Sequence, residues 1–189
     1  MRYNPDIHHR RSIRLKDYDY TQRGLYYITI CTQNRACLFG EIANDNMYLN
    51  QSGNMIVKWV AEIENKFNDI KIPSFIIMPN HFHAIINTIT PVGADLRVCP
   101  KPANAPGKHI QGKHIGSPLH GVVQWFKTMT TNEYIRGVKT MGWKSFDRKL
   151  WQRNYYEHII CNKQSYIKIV EYIENNPKKW IEDKMYMSP

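Results

Sequence analysis

The feature that most constrains this chain of 189 residues is a pair of histidines, His81 and His83, inside a run that is otherwise mostly Ile, Phe and Met. Such a run predicts a β-strand, in which successive side chains point to opposite faces. The two imidazoles therefore share one face, and Phe82 points to the other, toward the apolar interior. Aligned imidazoles are the start of a metal site, although two half-buried histidines bonded to backbone groups would give the same pattern.

A helix near the C-terminus supplies a candidate partner for this pair. Residues 165–176 have helical periodicity that ends before Pro177, and Tyr172 and Asn176 lie one turn apart on one side of it. The apolar stripe of this helix comprises Tyr166, Ile169, Val170 and Ile173. Because Tyr172 lies about 110° from the centre of that stripe, it is a poor candidate for core packing. The alternative is a tyrosine that packs its ring and exposes its hydroxyl.

The charge of the chain predicts a polyanionic partner. The formal net charge is +10 and the sequence pI is near 9.4. Aromatic residues make up 12% of the chain, which suits base stacking as well as an ordinary core. The basic residues are spread along the chain and there is neither an apolar signal core nor a run of about 18 apolar residues, so we expect a cytoplasmic protein that does not bind membranes.

Periodicity along the chain predicts an α+β fold. The expected strands are 25–32, 47–49, 72–78, 81–88 and 150–160, and the expected helices are 53–67, 119–134 and 165–176. This order favours a ferredoxin-like sandwich, with a mainly antiparallel central sheet and helices packed on it. We expect one domain over 25–180 with a Pro/Gly-rich insertion at 90–118, a basic N-terminal arm at 1–24 and a tail at 181–189.

Several short motifs occur in a fixed order along the chain. They are Met-Pro-Asn-His-Phe-His at 78–83, Phe-Lys-Thr at 126–128, Trp-Gln-Arg-Asn-Tyr-Tyr-Glu-His at 151–158 and Tyr-Ile-Glu-Asn-Asn-Pro at 172–177. With this series the chain resembles the REP-associated tyrosine transposases, bacterial members of the HUH class of single-stranded DNA nucleases that use one catalytic tyrosine. The resemblance covers nearly the whole chain outside the insertion.

The resemblance implies an activity and a set of site residues. It implies that His81 and His83 are metal ligands, that Asn176 completes the coordination and that Tyr172 is the nucleophile. The cofactor would be Mg²⁺ or Mn²⁺, while the nitrogen-rich ligand set by itself suits manganese, cobalt or zinc. The implied function is a nucleoid-associated transposase that binds REP-type hairpins of single-stranded DNA and cleaves and rejoins them through a 5′-phosphotyrosine intermediate. The protein would act as a monomer or a homodimer.

The residues predicted to contact DNA are basic positions in three segments and one tryptophan. Solvated surface charge is the alternative for each of them. They are Arg10, Arg11, Arg14, Lys16, Arg148, Lys149, Arg153, Lys178, Lys179 and Trp180. A competing hypothesis for the whole chain is a ferredoxin-like nucleic-acid-binding module that has no catalytic activity and retains its histidines only as vestiges.

Overall fold

The secondary structure follows the hydrophobic patterning of the chain. The structure is a computed structural model that describes residues 24–88 and 118–187. Short 3-10 helices span Gln33–Arg35 and Pro177–Glu182. The strands and helices are β1 (Gly24–Cys31), β2 (Gly40–Ala43), β3 (Asn46–Leu49), α1 (Gln51–Lys66), β4 (Ile70–Met78), β5 (His81–Thr88), α2 (Pro118–Met141), β6 (Tyr156–Ile160) and α3 (Lys163–Asn175).

The main sheet has four strands in the order β4-β5-β1-β6. Strands β4 and β5 form a hairpin, β1 pairs with β5 from Gly24↔Thr88 to Cys31↔His81, and β1 also pairs with β6; all three pairings in the described part are antiparallel. In chain order, α1 lies between β1 and β4, and α2 lies between β5 and β6. Together with the strand order, this is the ferredoxin-like arrangement. The predicted α+β fold is therefore confirmed, and the histidine strand lies at the centre of the sheet.

The two faces of the sheet have different roles. One face carries Ile28, Ile30 and Phe82 into the main core, where α1 and α2 cover them. The opposite face carries Tyr27 and Ile85, against which α3 packs. Alternation along β5 therefore directs Phe82 into the core and both histidines toward α3, as the strand pattern predicted.

A short strand and the end of a helix differ from the sequence prediction. Strand β2 was missed because it is short and half exposed; it pairs with β3 through a tight turn in which Asn44 and Asp45 take positive φ values. Helix α2 continues to Met141, beyond the predicted end at residue 134, and ends at Gly142, whose φ is +69°. That left-handed conformation is the usual way for a glycine to terminate a helix.

The strand predicted over 150–160 is formed only from Tyr156 onward. Before it, Trp151 makes a single bridge to Thr32, and its indole Nε1 donates a hydrogen bond of 2.8 Å to Thr130 Oγ1. The tryptophan ring packs between aromatic rings of the core. Thr29 pairs with Tyr156 and Thr32 with Trp151, so the four residues 152–155 face only two residues of the neighbouring chain segment. The pairing is therefore interrupted, and the prediction of a continuous strand was wrong.

Some predictions fall on parts of the chain that the structure does not describe. The arm at 1–24, with Arg10, Arg11, Arg14 and Lys16, lies outside the described residues except for Gly24, and so does the insertion at 90–117. Within the described ranges, no helix combines the length and the apolar character that crossing a bilayer requires.

A matched pair of substitutions in α1 tests the core assignment. Ile56 is fully buried under the sheet, whereas the next residue, Val57, is 37% exposed. We expect Ile56→Ala to lower the free energy of unfolding by about 2–5 kcal/mol because it leaves a cavity in the core. Val57→Ala should change it by no more than about 0.5 kcal/mol. Urea unfolding followed by circular dichroism would measure both, and equal losses would contradict the assignment of this face.

Candidate active site

The histidine pair is buried beneath α3. His81 is 0% and His83 is 2% exposed, and their ring centroids lie 4.5 Å apart. Burial lowers the pKa of His81 to about 4, although Asp183 opposes this shift. Burial, with a further contribution from His81, also holds the pKa of His83 well below its ordinary value. Both imidazoles are therefore neutral near pH 7, the form that binds a metal ion.

Asn80 fixes the tautomer of His81. The Asn80 amide nitrogen donates hydrogen bonds to the backbone carbonyls of Arg35 (3.1 Å) and Met185 (2.8 Å), which leaves its Oδ1 as an acceptor. His81 Nδ1 lies 2.8 Å from that oxygen and must therefore donate its proton to it. The lone pair of His81 is consequently on Nε2.

Two hydroxyls of β1 hold His83 in a similar way. Thr29 is directly opposite His83 in the β1-β5 ladder, and Tyr27 is diagonal to it. His83 Nδ1 lies 2.8 Å from both Thr29 Oγ1 and Tyr27 Oη, and Thr29 Oγ1 donates to Tyr27 Oη at 3.3 Å. Since Thr29 donates onward, its oxygen can accept the Nδ1 proton of His83. Sequence reasoning interpreted Tyr27 and Thr29 only as strand residues, because their role depends on strand pairing.

Three buried acceptor atoms of this site have no hydrogen-bond partner among the described residues. They are His81 Nε2, His83 Nε2 and Asn176 Oδ1. Asn176 is 2% exposed at the end of α3, and its Nδ2 faces Asp183 Oδ2 at 3.4 Å. Buried polar atoms normally have partners, and leaving one unpaired costs about 1–3 kcal/mol. Two imidazole nitrogens and an amide oxygen that point their lone pairs into one space fit a divalent cation.

Asp183 adds a negative charge that the sequence did not predict. Ligand atoms of His81, His83 and Asp183 all lie within 4.8 Å of one another. The backbone N–H of Met185 donates to Asp183 Oδ1 at 2.6 Å and holds the carboxylate in place. Asp183 follows the 3-10 helix Pro177–Glu182, so no periodic spacing links it to the histidines. The segment 181–189 was expected to be only a tail, and this expectation was incomplete.

Tyr172 lies at the mouth of the site. It is 44% exposed, and its ring centroid lies 5.4 Å from that of His83 and 6.2 Å from that of Tyr27. Partial burial and then the charge of Asp183 raise its pKa, whereas hydrogen bonding with Asn176 and Tyr27 lowers it. Helix α3 packs on the sheet of its own chain, so the predicted tyrosine and the predicted ligands meet within one chain.

The tyrosine opens into a cleft of about 800 Å³. Tyr156, which is 58% exposed, and Lys168 and Lys179 line it together with Tyr172. The cleft therefore offers exposed aromatic rings and lysine ammonium groups next to the buried acceptors. This combination suits a phosphate-bearing ligand with planar groups.

The basic residues that were predicted to contact DNA separate into two groups. Lys179 lines the tyrosine cleft and Lys178, the preceding residue, is exposed, whereas Arg148, Lys149 and Arg153 line a different cleft beside α2. Trp180 is a correction: it is only 8% exposed, and its ring packs 5.9 Å from His81 and 5.4 Å from Tyr186. Its ring packs against these two side chains and has no free face on which a base could stack.

Fold and site together define a ferredoxin-like α+β protein in which two buried histidines, a buried asparagine and a half-buried aspartate meet an exposed tyrosine. A Haemophilus influenzae protein, named only as uncharacterized, is 41% identical over 186 residues, which is 98% of each chain. The chain belongs to the same family as that protein. No protein-family model matches the chain.

The fold is similar to that of a solved transposase structure. A REP-associated tyrosine transposase bound to a REP hairpin matches with a TM-score of 0.55 and 16% identity, over 88% of this chain and 74% of that one. A candidate transposase from Deinococcus radiodurans R1 matches with a TM-score of 0.45 and 14% identity, over 86% of this chain and 97% of that one. The first of these structures confirms the resemblance found in the sequence at the level of the fold.

Asp183 and its neighbour Glu182 form a matched pair for testing the metal site. Asp183 lies within reach of both imidazoles, whereas Glu182 is exposed at the rim of the cleft. We expect Asp183→Asn to weaken Mn²⁺ binding about 10-fold or more, since losses of that size follow even when groups outside the coordination sphere are removed. Glu182→Gln should leave the affinity nearly unchanged. Isothermal titration calorimetry without DNA would measure this, and equal affinities for both variants would exclude Asp183 from the site.

Proposed function

We propose that this protein is a metal-dependent single-stranded DNA endonuclease and transesterase of the transposase type, which binds REP-type hairpin DNA and cleaves and rejoins it through Tyr172. One observation carries the proposal: Tyr172, which is 44% exposed, lies with its ring 5.4 Å from that of His83, next to a buried pair of neutral imidazoles whose Nε2 atoms have no partner among the described residues. The fold shared with a REP-associated transposase bound to a REP hairpin supports it.

The donor set suits a divalent ion such as Mg²⁺ or Mn²⁺. His81, His83, Asn176 and Asp183 would hold it, with two nitrogen and two oxygen ligands. A bound divalent ion supplies charge that polarises a phosphodiester and offsets the negative charge that develops during attack. The hydrogen bonds that Asn80, Thr29 and Tyr27 make with the outer ring nitrogens keep both inner nitrogens directed at the ion.

The reaction itself uses the Tyr172 hydroxyl. Its oxygen forms a bond to phosphorus, the bond from phosphorus to the 3′-oxygen breaks, and that oxygen leaves as a free 3′-hydroxyl after gaining a proton. After burial, the charge of Asp183 contributes to the raised pKa of the Tyr172 phenol. We propose that this carboxylate accepts the phenol proton. Burial and then the charge of Asp183 raise the pKa of Tyr172, and hydrogen bonding with Asn176 and Tyr27 partly offsets this shift, which favours the oxygen as it loses that proton.

The products account for rejoining without an external energy source. The 5′-phosphate remains esterified to Tyr172, and this ester retains much of the free energy of the original bond. Attack by another 3′-hydroxyl on the same phosphorus releases Tyr172 and restores a phosphodiester. The cleft is open to solvent at Tyr156 and Tyr172, so a strand end can exchange while the covalent intermediate persists.

A tyrosine-to-phenylalanine pair on α3 tests the nucleophile. Incubation of hairpin-bearing single-stranded DNA with the wild-type protein and Mn²⁺ should give a covalent protein–DNA band on denaturing electrophoresis. We expect Tyr172→Phe to abolish this band because it removes the attacking oxygen. Tyr166→Phe should retain it, since Tyr166 packs on the core side of the same helix. A persistent band in Tyr172→Phe would assign the nucleophile to another residue.

The histidines separate an enzyme from a binding module. We expect His81→Ala/His83→Ala to lose Mn²⁺ binding and the covalent band while it keeps its affinity for hairpin DNA, because the lysines of the cleft are unchanged. Calorimetry would measure metal binding, and fluorescence anisotropy would measure DNA affinity. If the wild-type protein binds hairpin DNA tightly but gives no cleavage with any divalent ion, the non-catalytic module is the correct description.

A further inference from the structure

The proposed reaction requires two proton transfers. The Tyr172 phenol loses one proton, for which Asp183 is the proposed acceptor, and the 3′-oxygen that leaves phosphorus gains another. An alkoxide leaves slowly at neutral pH unless an acid protonates it as its bond to phosphorus breaks. The attacking and leaving oxygens lie roughly in line through phosphorus. The acid must therefore lie in the tyrosine cleft, on the side of the phosphate opposite Tyr172.

The buried histidines are not available for this second transfer. His81 donates its Nδ1 proton to Asn80 Oδ1, and Nδ1 of His83 lies 2.8 Å from both Thr29 Oγ1 and Tyr27 Oη. Their Nε2 atoms carry lone pairs and are the proposed metal ligands. Each proton is thus held on the outer side of its ring, away from the nitrogen that faces the site. Another residue of the cleft must supply the proton.

A third histidine, His158, lines the same cleft from strand β6. Strand β6 is an edge of the main sheet, and His158 is directly opposite Tyr27 of β1. Directly opposed residues are neighbours, with Cβ atoms about 5 Å apart. The ring of Tyr27 in turn lies 6.2 Å from that of Tyr172 on α3. A phosphate bound between the helix and the sheet edge would therefore have its attacking oxygen on the side of Tyr172 and its leaving oxygen on the side of His158.

The imidazole of His158 is accessible to a ligand in the cleft. The residue is exposed, and its ring has no hydrogen-bond or ion-pair partner within 24–88 and 118–187. Imidazole is the side chain that both donates and accepts protons near neutral pH. An ammonium ion is a weaker acid than an imidazolium ion, so the lysines of the cleft, Lys168 and Lys179, are less suited to this step.

We propose that His158 is the general acid of cleavage and the general base of rejoining, an assignment that rests on the proposed function. In cleavage, the imidazolium proton of His158 passes to the 3′-oxygen as the bond from phosphorus to that oxygen breaks and the bond to Tyr172 forms. The products are a 3′-hydroxyl and a neutral imidazole. In rejoining, this imidazole takes the proton of the incoming 3′-hydroxyl, whose oxygen bonds to phosphorus as the bond to Tyr172 breaks.

Replacement of the leaving oxygen by sulfur tests this role. The sulfur substrate carries a 3′-sulfur in the scissile linkage, at the position where the wild-type protein cuts the ordinary DNA. A thiol is far more acidic than an alcohol, so a thiolate leaves without a proton donor. The rate at which the covalent protein–DNA band forms with Mn²⁺ is measured on both substrates. We expect His158→Gln to lower the rate on the oxygen substrate about 100-fold or more and to leave the rate on the sulfur substrate nearly unchanged.

Tyr156→Phe is the matched control, because Tyr156 lines the same cleft from the same strand. It should change the rates on both substrates by the same factor, since it does not protonate the leaving group. Added imidazole should restore part of the oxygen-substrate rate in His158→Ala, because the cleft is open to solvent. Equal losses on both substrates in His158→Gln, or an oxygen-specific loss in Tyr156→Phe alone, would overturn the assignment.

The outcome is separable from that of the proposed function. The covalent band with wild-type protein reports the chemistry of Tyr172, and the ratio of the oxygen and sulfur rates reports His158. A wild-type band whose rate ratio is the same in His158→Gln would keep the transesterase and reject the proton donor. Absence of the wild-type band on both substrates would reject the transesterase and the proton donor together.

Discussion

Two imidazoles buried with fixed protons are the constraint on which the rest of this site depends. Asn80 accepts the proton of His81 Nδ1, and the hydroxyls of β1 surround Nδ1 of His83. The inner Nε2 atoms are consequently buried acceptors without a partner among the described residues. Burying such acceptors is unfavourable unless something satisfies them, so the arrangement is understandable as a preformed cation site. The opposite face of the sheet supplies the main core.

The ferredoxin-like order of the strands places the histidines on one face of the sheet and the main core on the other. The order puts β1 directly beside β5, so Thr29 comes to lie opposite His83. It also brings α3 onto the histidine face, while α1 and α2 cover the other. A helix that packs on the same sheet as the ligands carries Tyr172 and Asn176 together. The nucleophile candidate and the ligand candidates therefore have their relative positions set by sheet packing.

The charge of the chain becomes interpretable only when it is divided between the two clefts. A net charge of +10 indicates a polyanion but not where it lies. In the described residues, lysines beside exposed tyrosines line one cleft, and arginines and lysines without free aromatic faces line the other. The same sheet edge separates them.

The sequence alone determined the fold class, the alternation of His81, Phe82 and His83, and the shared side of Tyr172 and Asn176, because strand and helix periodicities are local. Only the tertiary structure decided that Asp183 joins the histidines, that Asn80, Thr29 and Tyr27 orient them, and that Trp180 is buried. These contacts join residues from the central strands, the turn between β4 and β5 and the C-terminal segment. The spacing of these residues along the chain does not determine the distances between their side chains. The order of the strands and the packing of the helices determine them.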